Sequence, residues 1–506
     1  MLRRCFSVLA ASPVSFAFAA SFLLSAIAVA TGNLNRDGML YTAAARAFIE
    51  GGLPAAIGVF SWPFLAVLMG ALSQATGLPP EWCGHALNLL FMSGACALMI
   101  ALIRDKDPEL AWLSVAILLA LPGLNGYRNE LIREYGSWFF VMLAFWLAKD
   151  WPENPSWRRS LAIHSAIILA TLFRPEALIF VPCILLWQHF QPSPSSRPKR
   201  ALMLCSLPAI GLAAVLMLHF SGMLPASSRI ASEISRFDFS HFDRTAQEMA
   251  KAFHPYARDE ARTGPAILFF GSLALIPWKL LGKFGVFLLP LWFFVSSPQR
   301  HEVLRRYGLL ISALIGYLLV LAVFVLRLQF VSGRYLGPVV LFSIPFVAFG
   351  LKRLLDRHPR WRMAALAICG VLALSNVLSL TPRKTHFAEA GHWLSTQLTE
   401  DPRVYLESAR AAHYAGLSFA TRTTPPSRTQ LLDDIRANRY DVVVLEVSRK
   451  EDGFAEWLAK AGLKEIRRFS DTNGDAIVVT VPRDQAGVPK AESITASSLP
   501  ATTSKE

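Results

Sequence analysis

The sequence predicts an α-helical polytopic membrane protein of about eleven transmembrane helices, with juxtamembrane helices and a small C-terminal α/β domain. Three observations predict it. Of the 506 residues, 53% are hydrophobic, above the roughly 45–50% of a soluble globular chain, and the mean hydropathy is +0.39. The apolar residues fall in runs of about 15–25, the length that crosses a bilayer core as a helix. Lysine and arginine collect in the short loops between those runs, as topology signals do.

The first run follows "MLRR" and ends near Thr31. Arg3 and Arg4 predict a cytoplasmic N-terminus. The run closes on "AIAVATG", which also suits a signal peptidase; cleavage would leave the remaining topology unchanged, and the reading is an uncleaved span. Further spans are predicted near 84–103, 110–123, 136–149, 161–174, 177–190, 201–219, 283–297, 307–326, 336–350 and 363–380. The basic loops are "RDKD" (104–107), "KDWPENPSWRRS" (149–160), "SRPKR" (196–200), "PQRHEVLRR" (298–306) and "KRLLDRHPRWR" (352–362). Eleven crossings put all of them on the side of the N-terminus. Two Pro-interrupted apolar segments, 60–77 and 266–281, are then amphipathic helices in the outer interface. As ordinary spans they would change the count by two.

The outer side then carries the loop from Gly32 to about Cys83, the loop 124–135, the long loop 220–265 and everything after about Pro382. Three domains follow: a transmembrane domain (1–381), an α/β domain (382–483) and a disordered tail (484–506). In the α/β domain, "YDVVVLEV" (440–447) and "DAIVVTVP" (475–482) read as strands. "GFAEWLAKAGLKEIRRF" (453–469) reads as a helix and short strand, and helix–strand–helix precedes them. The last residues are Ser-, Thr- and Ala-rich, a composition that does not pack.

Composition also excludes. A net charge of +14 could suggest nucleic acid, but the basic residues sit in short loops and no basic face with interleaved aromatics appears. The six cysteines lie mostly inside apolar runs and none forms a CxxC pair, which argues against a disulfide framework or a zinc site. Neither GxGxxG nor GxxxxGK[ST] occurs, nor a nucleophile elbow, so nucleotide hydrolysis and serine-hydrolase chemistry are excluded. No cofactor is expected; a divalent metal is left open.

Four stretches bear unusual polar residues, all on the expected outer side. In "NRDGMLY", Asp37 stands at the membrane edge, where it could cap a helix or act chemically. "YRNELIREYGSW" (127–138) packs Arg128, Glu130, Arg133 and Glu134 between two spans; guanidinium groups there suit a phosphate, and internal salt bridges are the alternative. "LFRPEAL" (172–178) sets Arg174 and Glu176 in an apolar region, where ionisable groups face a cavity or each other. "RLQFVSGRYLGP" (327–338) adds Arg327, Arg334 and Tyr335, either as site residues or as snorkelling anchors.

Taken together these stretches resemble the GT-C glycosyltransferases, in particular the family of protein O-mannosyltransferases and the bacterial lipid A aminoarabinose transferase (glycosyltransferase family 39-like). The resemblance rests on "RDGMLYTAAARAF" after the first span, "SWPFLAVLMGAL", "RNELIREYGSWFFVMLAFWLA", "LFRPEAL", and the RY-x-x-P of Arg334, Tyr335 and Pro338, in this order over about residues 10–380. It implies a polyprenyl-phosphate sugar donor, such as an undecaprenyl-linked one, and transfer with inversion to a hydroxyl acceptor on a lipid, glycan or protein. The place implied is the periplasmic face of a bacterial inner membrane, with the C-terminal domain periplasmic. It also implies Asp37 as general base, with Glu134 and then Glu130 as a second acid. Arg36, Arg128, Arg133 and Arg334, with Tyr335, are the implied partners of the donor phosphate, and Arg174, Glu176 and Trp62 border the cavity. One departure matters: the aminoarabinose transferase has Lys-Pro in its juxtamembrane helix, where this chain has Trp62-Pro63, so an arginine must take the phosphate instead. A transporter or lipid flippase is the first rival, although no repeat relates the two halves. A non-catalytic envelope scaffold is the second.

Overall fold

The computed structural model describes residues 12–192, 196–221, 239–252, 263–378, 385–397, 403–417, 428–449 and 451–483. The N-terminal "MLRR" signal, much of the 220–265 loop and the 484–506 tail lie outside them. The chain divides into two compact units, Met1–Leu34 with Ala44–Ser379 and Asn35–Ala43 with Leu380–Glu506.

In the first unit the main helices are α1 (Pro13–Thr31), α2 (Arg36–Val59, whose first residues belong to the second unit), α3 (Phe64–Thr76), α4 (Pro80–Lys106) and α5 (Ala111–Ala120). They continue as α6 (Glu134–Ala148), α7 (Trp157–Phe173), α8 (Phe180–His189), α9 (Arg197–Phe220), α10 (Gly264–Phe284) and α11 (Leu288–Val295). The last are α12 (Gly308–Leu328), α13 (Gly337–Phe342), α14 (Ile344–Arg357) and α15 (Arg362–Ser375). Each predicted span has a helix or helix pair beneath it. Among the described residues, α1, α4, the run Gly264–Val295 and α12 are long and apolar enough to cross a membrane alone; Gly333–Phe342 with Ile344–Arg357, bent by 61°, makes a fifth if counted as one. The segment at 60–77 forms only the 13-residue α3. The segment at 266–281 differs from expectation. It continues past Pro277 to Phe284 and, through a short 3-10 turn, into α11. A proline is tolerated within an apolar helix when neighbouring groups satisfy the freed backbone, so the run does not divide there.

Local chemistry sets the ends and the packing. Ser12 caps α1 by accepting from the Ser15 amide, with Pro13 in the first turn. Apart from Leu24 the buried face of α1 is small (Ala17, Ser21, Ser25, Ala28), which lets it lie against α4, where the Ser21 hydroxyl meets the Cys96 sulfur at 3.4 Å. Small residues at crossings are how helices pack without a hydrophobic drive between them. At one end of the bundle, Asp105 pairs with Lys149, Asp107 with Arg306 and Glu109 with Lys352. Surface pairs of this kind add little stability, but they bring together the basic clusters at 104–107, 149–160, 298–306 and 352–362.

The second unit holds a four-stranded sheet of β1 (Val404–Leu406), β2 (Val442–Val447), β3 (Leu463–Ser470) and β4 (Ala476–Pro482) in the order β1-β2-β4-β3. β1 runs parallel to β2; the other pairs are antiparallel. Alternation along β2 explains the layers. Val443, Leu445 and Val447 join a core with Leu431, Ile435 and Leu458, whereas Val444 joins one with Phe387, Ala390 and Leu394. The parallel edge is pinned by the fork of Arg403 on Asp441, 2.7 and 3.2 Å. The β3–β4 turn is closed by Asp471, which accepts from the Asn473 and Asp475 amides, with Gly474 at φ +89.

One crossing tests the packing. A Cβ at Gly350 of α14 would overlap the Pro290 carbonyl oxygen of α11, and backbone cannot swing aside; Gly370 in α15 faces open space. Gly350→Ala is expected to lower the melting temperature in detergent, at a cost of about 1–3 kcal/mol, while Gly370→Ala leaves it unchanged. Equal melting of the two variants would refute the crossing.

Candidate functional site

The site of the first unit is assembled by helix breaks. Pro175 disfavours helical geometry at the residue before it. Arg174 accordingly ends α7 in extended conformation, φ −143 and ψ 111, and a 3-10 turn carries Glu176 onward. Glu134 opens α6 and is buried, 4% exposed. Arg334 and Tyr335 lie in the 3-10 turn Gly333–Leu336 that leads into α13. A Cβ at Gly337 would overlap the Trp138 ring, so the turn packs closely on α6 only because glycine stands there.

These breaks bring four charged side chains together around one carboxylate. Glu134 Oε1 accepts from Arg174 Nη1 at 3.2 Å and stands 3.3 Å from Arg334 Nε. Arg174 also donates through Nε to Glu176 Oε1 at 2.6 Å, and Arg334 Nη1 lies 4.0 Å from Glu130 Oε2. The Arg174 guanidinium stands 4.7 Å over the Tyr335 ring, a favourable placement for a cation. Tyr317 donates from its hydroxyl to the Tyr335 carbonyl at 3.0 Å. Beside them is a small cavity of about 20 Å³ walled by Trp138, Phe180, Tyr317 and Phe342 together with Glu134, Arg174, Glu176 and Arg334, room for about one water. Glu134 Oε2 is buried without a hydrogen-bond partner among the described residues. Buried polar atoms are normally satisfied, so this oxygen is an acceptor in reserve for a hydroxyl or amine.

Of the residues the sequence singled out, Glu134, Glu130, Arg174, Glu176, Arg334 and Tyr335 therefore meet. Arg133 lies nearby with its guanidinium 5.5 Å from the Phe60 ring, and Trp62 is half-buried. Arg128 is different. It is 2% exposed and donates inward to Asn125 Oδ1, the Ser21 carbonyl and the Ser25 hydroxyl at 2.7, 2.8 and 2.5 Å. It ties the 122–133 segment to α1 instead of facing a ligand. Asp37 and Arg36 belong to the second unit. The first intrahelical bond of α2 runs from Met39 N to the Asn35 carbonyl, so Asn35 takes the cap position and Asp37 is the second helical residue. The cap role open to Asp37 in the sequence thus falls to Asn35, and Asp37 sits in the first turn, where negative charge is favoured. Tyr317, Trp138 and Phe180 were not singled out. They lie inside apolar runs, and a mid-span Tyr, whose hydroxyl needs a partner, was the only available signal. Among the described residues no three or more His, Cys, Asp or Glu side chains are grouped to hold a metal ion.

No protein-family description and no curated protein matches the chain. Among solved structures it is similar to the oligosaccharyltransferase of Archaeoglobus fulgidus, crystallised with zinc and sulfate. The TM-score is 0.53 and the identity 12%, over 92% of this chain and 73% of that one. The likeness is one of fold.

The cluster has a stability consequence. Removing one partner of a buried ion pair costs about 3–5 kcal/mol, because a buried charge is left uncompensated. Arg174→Met is expected to lower the melting temperature in detergent markedly, and Arg174→Met/Glu176→Gln to recover part of the loss. A double variant as unstable as the sum of its single variants would show that the two side chains do not share the burden.

Proposed function

We propose that this chain is a membrane glycosyltransferase that moves a sugar from a polyprenyl-phosphate donor to a hydroxyl acceptor, with inversion, at the periplasmic face of a bacterial inner membrane. The observation that carries the reading is the cavity, where a carboxylate oxygen waits unpartnered among aromatic walls and two guanidinium groups. An apolar, aromatic lining with a few convergent polar groups has the character of a small-molecule site. The fold shared with an oligosaccharyltransferase supports it, as does the membrane character of the chain.

In this reading Asp37 accepts the proton of the acceptor hydroxyl as its oxygen attacks the anomeric carbon. The bond from that carbon to the donor phosphate oxygen breaks, and the phosphate leaves with the electron pair. Cationic side chains stabilise its charge, with Arg36, Arg133, Arg334 and Tyr335 the candidate groups. Arg128 is withdrawn from that role by its inward bonds. Eleven crossings, with the basic loop clusters cytoplasmic and the α/β domain periplasmic, put this chemistry on the outer side.

Asp37→Asn is the discriminating variant. It keeps a side-chain oxygen and removes the proton acceptor, so the protein is expected to fold normally while transfer falls by about 10²–10⁴. The measurement is sugar transfer by purified protein given lipid-linked donor and acceptor. Activity within a few fold of the parent would move the base to Glu134 or Glu130. A parent protein that translocates the donor across vesicles without transferring sugar would favour the flippase reading.

Topology has its own test. Reporters fused after Lys106, Arg200 and Arg362 are expected to read cytoplasmic and one near Gly391 periplasmic. A cytoplasmic reading at Gly391 would overturn the eleven-span arrangement.

A further inference from the structure

The arginines of the cavity are largely committed to carboxylates, whereas two lysines on α10, against the turn that precedes Arg334, are not. Lys279 and Lys283 lie four residues apart on α10, a spacing that sets side chains on one helix face, where like charges repel. Lys279 donates from Nζ to the Val331 carbonyl and stands 5.3 Å from the Phe330 ring. Lys283 donates from Nζ to the Tyr127 hydroxyl at 2.5 Å and stands 4.5 Å over the Tyr127 ring. Among the described residues neither ammonium has a carboxylate within ion-pair distance, in contrast to Arg174 and Arg334 on Glu134.

Both lysines are half-buried. A partly desolvated charge held only by neutral partners is costly until an anion joins it. Lys283 also lies against Gly333, the residue before Arg334: a Cβ there would stand 2.6 Å from Lys283 Cε and 2.8 Å from Nζ. The two ammonium groups therefore border the same 331–334 turn that delivers Arg334 and Tyr335 to the cavity. On the same helix Trp278 and Leu281 are 72% and 49% exposed, so the lysines flank an apolar stripe facing outward. An anion with a hydrocarbon tail can lie there with its tail along the stripe, which a soluble anion has no use for.

We propose that Lys279 and Lys283 form the cradle for the phosphate of a lipid-linked ligand, a prenyl phosphate monoester or diester. The proposal rests on the reading that the donor is lipid-linked. Lysine binds phosphate as a point charge and does not need the bidentate fork of arginine. The chain thereby meets the need left by Trp62-Pro63 with ammonium groups from another helix.

The test uses the full-length protein in phosphatidylcholine nanodiscs, with decaprenyl phosphate, decaprenol and inorganic phosphate as probes. The parent is expected to bind decaprenyl phosphate at least about tenfold more tightly than decaprenol, and Lys279→Gln/Lys283→Gln to lose about that factor, or roughly 1.4 kcal/mol. Lys279→Arg/Lys283→Arg is expected to retain parental affinity because the charges remain. Thermal melting checks folding, and Lys283→Gln alone substitutes for the double variant if that fails to fold. Unchanged decaprenyl phosphate affinity in the Gln variants would overturn the lysine assignment and leave the donor reading intact. A parent with no preference for decaprenyl phosphate over decaprenol would overturn the donor reading, and this proposal with it. Lysine-dependent binding of inorganic phosphate without that preference would assign the lysines to a soluble anion instead.

Discussion

Everything at the candidate site of the first unit depends on one carboxylate, Glu134, being buried beside two guanidinium groups. An ionised acid so far from water is tolerable only with charge-assisted partners. Arg174 and Arg334 provide them, and they come from places distant in sequence that can reach Glu134 only if helices break. Pro175 ends α7 so that Arg174 leaves the helix. The 3-10 turn at Gly333–Leu336 sets Arg334 and Tyr335 opposite. The breaks and the charges thus explain each other: a continuous helix through either place would strand a charge in apolar surroundings.

The same arrangement decides which cations remain available. Arg174 is spent on Glu134 and Glu176, Arg334 is shared between Glu134 and Glu130, and Arg128 is spent on α1. A cluster that is balanced internally is a rigid wall that fixes shape and polarity, and it attracts further anions less than its count of arginines suggests. The ammonium groups on α10 are held by a phenol, a carbonyl and two ring faces, none of which cancels charge. Net attraction for a phosphate resides more in those two lysines than in the more conspicuous arginines.

The sequence disclosed much of this and missed the rest for definite reasons. Hydropathy located the helices because the apolar runs are long relative to their interruptions. Short continuous apolar runs located β2 and β4, because their neighbours bury both faces. Glu134, Arg174, Glu176 and Arg334 were legible because charge inside an apolar run has few bland explanations. Their mutual contact was not, since it depends on how four distant segments fold back. Arg128 stood among the same residue types as Arg133, and only the inward turn of the 122–133 segment separates their roles. Pro277 misled by marking a break that apolar surroundings did not require. Tyr317 and Phe180 had no signal beyond their membership of apolar spans.

Asp37 is where sequence and structure constrain one residue from different directions. Asn35 stands just before the first helical residue of α2, and the acid follows in the first turn. One structural benefit there is interaction with the positive end of the helix, typically about 0.3–1 kcal/mol and weakened by salt. Glu134 presents the complementary case: its structural work is evident, and one of its two oxygens is still left over. A carboxylate held by two guanidinium groups is fixed in place, so its remaining oxygen is presented at a defined position.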